Sequence, residues 1–107
     1  DVITIASGVV YSAAVLPFSA GDLRVMQKNT KLFLHPFSLT VEDATIKTID
    51  MTSKETKELF KIYCQCVASK SKLTFKKISD MCNNETYLNA KESKRLGLCD
   101  QILRQKR

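Results

Sequence analysis

From Val2 to Gly21 the chain runs for twenty residues without a charged side chain. No other feature narrows its possible folds so much, because such a run must be hidden from water or placed in lipid. Its length suffices to cross a bilayer. However, Ser7, Gly8, Ser12, Pro17 and Ser19 interrupt it, and no basic residues lead into it as a signal peptide requires. A buried strand followed by a closely packed helix is the better expectation. Val2-Ile3-Thr4-Ile5 is a β-branched run of the kind that forms buried strands. Ser7-Gly8 breaks it. From Tyr11 onward, Ser12, Ala13, Ala14, Val15 and Leu16 predict a helix of small residues, which Pro17 starts, kinks or displaces.

Beyond that run the pattern alternates. Ala20-Gly21-Asp22 marks a turn, Leu23 to Met26 a strand, Lys28-Asn29-Thr30 a second turn, and Lys31 to His35 another strand, limited by Pro36. Val41 to Lys70 predicts one long helix, with Ile46, Ile49, Leu59, Phe60, Ile62, Tyr63 and Val67 mostly at helical spacing. Asp43 lies near its start, and Thr52-Ser53 is the place where it would break. A second helix is expected over Thr74 to Cys82. A third has both its signals, Asn89 as N-cap with Glu92 three residues on, and Gly97 after its last turn. Leu98 to Leu103 reads as a closing strand, and Arg104 to Arg107 as a solvated tail. Strands alternating with helices imply an α/β fold, and 107 residues imply one domain.

Seventeen basic residues against eleven acidic ones leave a net charge of +6. In the sequence this charge is spread rather than massed, which does not mark a nucleic-acid binder. Cys64, Cys66, Cys82 and Cys99 lack the C-x-x-C spacing of zinc or redox sites, and His35 is the sole histidine. The expectation is no metal, no cofactor, and reduced thiols in an intracellular, reducing compartment.

Two residues invite a chemical reading. Any imidazole base must be His35, which ends an apolar strand where a side chain can enter a cleft. Ser12 follows a strand and a glycine and opens a helix, so an oxyanion formed beside it would meet amide donors, that of Ala13 among them. An acid is needed to orient the imidazole. Asp80, Glu85, Glu92 and Asp100 are all available, and their chemistry alone does not choose among them.

Gly8-Val9-Val10-Tyr11-Ser12-Ala13-Ala14 resembles the nucleophile segment of the proteolytic subunit of the Clp protease (ClpP) family. Asn29 to Pro36 looks like that family's strand ending in the catalytic histidine. Glu85 to Ala90, continued by Arg95 to Leu103, is similar to its acid, final helix and closing strand. The resemblance implies a ClpP/crotonase-like α/β fold in residues 1–107, corresponding to the C-terminal half of the family subunit with its N-terminal strands absent. It implies Ser12 as nucleophile, His35 as base, Glu85 as orienting acid and Ala13 as oxyanion donor. Val41 to Lys70 would be the handle helix through which rings of subunits meet. An AAA+ unfoldase would feed unfolded polypeptides to the ring, and ATP would be used by that partner only. The chain departs from the family where Glu85 replaces an aspartate and where Pro36-Phe37-Ser38 lacks the glycines that pair with substrate. Those departures suit an alternative, a non-catalytic structural subunit of the ring. A related peptidase with a lysine base is a more distant reading, and no lysine sits in a matching motif. Within the first reading, Glu85 is expected to face His35 Nδ1.

Overall fold

The computed structural model describes residues 1–37 and 45–104. Its elements are the strands β1 (Ile3–Ala6), β2 (Val9–Tyr11), β3 (Leu23–Gln27), β4 (Lys31–Leu34), β5 (Thr86–Asn89) and β6 (Gln101–Leu103). The helices are α1 (Val15–Ser19), α2 (Ile46–Ser69), α3 (Phe75–Asn83) and α4 (Ala90–Arg95). The fold is mixed α/β, built on two three-stranded sheets between which the chain passes back and forth. One sheet has the order β1-β3-β6 and is parallel throughout. The other has the order β2-β4-β5, with β2 parallel and β5 antiparallel to β4.

The core is gathered from every layer. Val15 of α1, Met26 of β3, Leu32 and Leu34 of β4, Cys64 and Val67 of α2 and Ile78 and Cys82 of α3 are fully buried. Burying a side chain of the Val, Leu, Ile or Met type is worth about 1.5–3 kcal/mol, so this cluster is the main adhesive of a small fold. An ion pair ties its edge together. Asp100 Oδ2 accepts from the Arg24 backbone N at 2.8 Å and from its Nε at 3.1 Å, and Oδ1 accepts from Nη2 at 2.9 Å. Arg24 Nη1 donates in turn to the Lys70 carbonyl at the end of α2. One guanidinium therefore joins β3, the approach to β6 and the C-terminus of the longest helix.

Helix ends follow local chemistry closely. Thr45 and Thr74 cap α2 and α3 through their hydroxyls, and Asn89 with Glu92 forms a reciprocal capping box on α4. Gly97, at φ +77°, provides the left-handed residue after α4. The long helix is continuous through Thr52-Ser53. The part of that prediction covering Val41 to Ala44, including Asp43, lies outside the described residues.

Four expectations need correction. Tyr11 does not begin a helix. It ends β2, Ser12–Ala14 forms a single 3₁₀ turn, and α1 begins only at Val15. Pro17 sits in the first turn of α1, where its missing N–H costs nothing. β5 was not expected, because four residues that end in the N-cap Asn89 carry too little periodicity to show without their partner, β4. The closing strand starts at Gln101 rather than Leu98, whose side chain is fully buried. Finally, β1 is not a buried strand. It lies at the edge of its sheet, and Ile3 and Ile5 are 60% and 61% exposed.

α2 departs from ordinary core packing. Its buried residues, Tyr63, Cys64 and Val67, all fall in its last two turns, while Ile46, Ile49, Met51, Leu59 and Ile62 are exposed. The helix spans about 36 Å at 1.5 Å per residue. The molecule is correspondingly elongated, 56 Å by 29 Å by 27 Å.

Candidate active site

Strand register assembles the site. β2 and β4 are parallel, with Tyr11 opposite Phe33, so Ser12 and His35 both emerge at the carboxyl ends of neighbouring strands. β5 runs antiparallel with Thr86 opposite Leu34, which brings Glu85 back to the same edge. The carboxyl edge of parallel strands is where α/β folds commonly bind ligands.

Ser12 and Glu85 have a backbone feature in common. Their φ angles are +37° and +50°, and among the described residues no other non-glycine residue has a positive φ. Left-handed backbone costs a β-carbon-bearing residue about 1–2 kcal/mol and tends to be retained at functional positions. At Ser12 the strain comes from the abrupt change from strand to 3₁₀ turn. No side chain caps that turn, so its first amides remain available at a helix N-terminus.

The side chains converge, but not in the linked order of a serine–histidine–acid relay. Ser12 Oγ donates to the His35 backbone carbonyl at 3.2 Å, rather than to the imidazole. Glu85 Oε1 lies 3.4 Å from His35 Nε2, so the acid faces the other ring nitrogen from the expected Nδ1. The methylene that distinguishes glutamate from aspartate accounts for the reach to the distal nitrogen. Phe33 supports the imidazole from below, with ring centres 5.4 Å apart, and is itself stacked on Tyr87 at 4.1 Å. Behind the strand, the His35 backbone N–H points to the buried Cys82 thiol. Burial, followed by the neighbouring Cys64, pushes that thiol up to about 12. Burial likewise raises Cys64 to about 11. Both sulfurs act here as neutral packing groups.

A cleft of about 420 Å³ opens beside Ser12 and His35, walled by Ala13, Phe37, Thr56 and Leu59. No lysine among the described residues lines it. Among the described residues no group of three or more His, Cys, Asp and Glu side chains could hold a metal ion, and no helix is long and apolar enough to cross a membrane. The other acids are elsewhere: Asp80 is exposed on α3, Glu92 closes the capping box, and Asp100 holds Arg24.

Compared with known families, the chain matches the Clp protease family model over residues 1–106, essentially its whole length. The chain belongs to the Clp protease family. No curated protein matches it. Membership makes it a protease or a related subunit of this family, and the mixed α/β architecture with one long helix agrees with a Clp-protease-like fold. Phe33 and Tyr87, the aromatic pair beside His35, were not expected to bear on it, and Cys82 was expected only as a reduced thiol. Alternation along Lys31 to His35 places Phe33 and His35 on one face and would have pointed to the first of them.

Proposed function

We propose that this chain is a serine-type endopeptidase subunit of a Clp protease ring, cleaving unfolded polypeptides in the chamber that such a ring encloses. The observation that carries this reading is the arrival of Ser12, His35 and Glu85 at one strand edge beside an apolar cleft, two of them on left-handed backbone. In the reacting arrangement the His35 side chain changes rotamer and the Glu85 carboxylate shifts with it, so that Nδ1 faces Glu85 and Nε2 faces Ser12. Nε2 then takes the hydroxyl proton while Oγ attacks the scissile carbonyl, and the Ala13 amide donates to the resulting oxyanion. The imidazolium returns its proton to the leaving amine, and water releases the acyl group by the same path in reverse. The subunit needs no cofactor of its own, since ATP is consumed by an AAA+ unfoldase partner. Four free cysteines among the described residues suit a reducing compartment, the cytoplasm or an organelle of bacterial origin.

The apolar ridge of α2 supports assembly, because Ile49, Leu59 and Ile62 are about half exposed on a helix that reaches away from the core. Thr56 and Leu59 also wall the cleft, so a subunit docked on α2 would set the cleft's shape. Ile49→Asp with Ile62→Asp is expected to convert an assembled species to monomer in analytical ultracentrifugation.

One observation favours a second reading, a structural subunit without activity: the Ser12 hydroxyl is bound to the His35 carbonyl and not to its imidazole. A fluorophosphonate probe separates the two. Labelling that maps to Ser12 and disappears in Ser12→Ala and His35→Ala supports the peptidase. An assembled ring that never labels supports the structural subunit.

A further inference from the structure

At the opposite end of the β4–β5 ladder from His35 lies a second and larger cleft, of about 830 Å³. Lys28 and Lys31 flank the turn between β3 and β4, Lys91 and Lys94 stand one turn apart on α4, and Arg104 follows β6. All five are exposed, and among the described residues no acidic one lines the cleft. Glu92, the acid nearest to the α4 lysines in sequence, is not among the lining residues, and its carboxylate is engaged by the Asn89 backbone N–H. Among the described residues none of the five makes an ion pair. Seventeen basic residues less these five leaves twelve against eleven acidic ones, so nearly all of the +6 charge of the chain is concentrated here. Like charges gathered without a counter-charge repel one another and attract an anionic partner.

The walls specify which kind. Among the described residues no aromatic side chain lines the cleft, so nucleic-acid bases find no stacking platform there. Four of the five cations are lysines, point charges without the planar fork that grips phosphate in two places. Thr30 and Ala90 lie buried beneath the cleft, and the half-buried Ile102 offers apolar contact to a small side chain. Carboxylates at the rim with short apolar residues between them meet both requirements. We propose that this cleft docks an acidic, extended segment of a partner polypeptide. β4 separates it from the Ser12 edge by about 13 Å at 3.3 Å per residue, so a docked segment leaves the candidate active site open.

The test is fluorescence anisotropy on the full chain, with a short fluorescein-labelled peptide in which Asp and Glu alternate with Ala and Val. Saturable binding is expected at about 50 mM salt, weakening about tenfold by about 200 mM as the charges are screened. Lys91→Glu with Lys94→Glu should weaken binding about tenfold or more, and Lys28→Glu with Lys31→Glu should do the same. All four side chains are exposed, and circular dichroism verifies that each variant is folded. Lys57→Glu with Lys61→Glu, an equal charge change on exposed positions of α2, should leave affinity within about twofold. The proposal is overturned if that control weakens binding as much as the cleft variants, or if no saturable binding occurs. It is equally overturned if a single-stranded oligonucleotide of the same charge binds more tightly and displaces the peptide.

Discussion

Replacing Asp100 with asparagine tests how α2 is fixed to the core. The carboxylate accepts three hydrogen bonds from Arg24, whose side chain is only 9% exposed, while that of Asp100 is 37% exposed. Asparagine retains one acceptor oxygen but presents an NH₂ group to the guanidinium, so at least one donor loses its partner. Removing one member of a fully buried ion pair costs about 3–5 kcal/mol. Water at the exposed carboxylate recovers part of that, which leaves about 2 kcal/mol. For a domain of this size that is a fall in Tm of about 8–16 °C. The pH dependence has a definite sign. The Arg24 hydrogen bonds hold the Asp100 carboxyl below its ordinary value, so its contribution is complete above the unfolded carboxylate value of about 3.9 and is lost as pH falls through the lower folded value. Differential scanning calorimetry on Asp100→Asn should therefore show a wide gap from the parent at pH 7 that closes in acid. A gap under about 2 °C at pH 7, or one unchanged in acid, would refute the clamp as a source of stability.

Further outcomes follow from the same structure. On the proposed peptidase reading, Glu85→Gln should lower turnover of a short fluorogenic peptide by about a hundredfold or more, through loss of control over the imidazole tautomer. Glu85→Asp should retain or raise turnover, since aspartate is shorter and tolerates the +50° backbone better. Gly97→Ala combines a φ of +77° with a Cβ 2.9 Å from the Lys72 backbone nitrogen, and should cost about 2 kcal/mol in urea unfolding. Iodoacetamide on the native chain at pH 8 should give one fast adduct by mass spectrometry, at the exposed Cys66. The buried Cys64, Cys82 and Cys99, whose thiols burial holds in the neutral form, should react only on unfolding.

What could be read in advance was local chemistry. The Asn89–Glu92 box, the Gly97 stop and the long apolar pattern ending at Val67 all depend on residues a few positions apart. The positions of Ser12 and His35 at element ends were legible for the same reason. What depends on register was not. β5 exists because β4 offers it an edge, and the basic cleft exists because residues near 30, 92 and 104 meet across strands. The same charges look evenly spread along the chain. Nor does composition reveal which non-glycine residues adopt positive φ, since that strain is imposed by the neighbouring elements.

β1 and β2 are each an outer strand of their sheet, and Ile3, Ile5 and Val9 along them, with Val2 just before β1, remain exposed. An uncovered strand edge of this kind pairs readily with any extended chain it meets. Two copies meeting edge to edge is a second-order event, so its rate rises with the square of concentration. Covering by a partner present in excess rises only in proportion to the chain itself. Yield of usable protein is therefore a kinetic competition: dilute production beside a chain that can cover these edges favours the covered form, and strong overexpression favours precipitation.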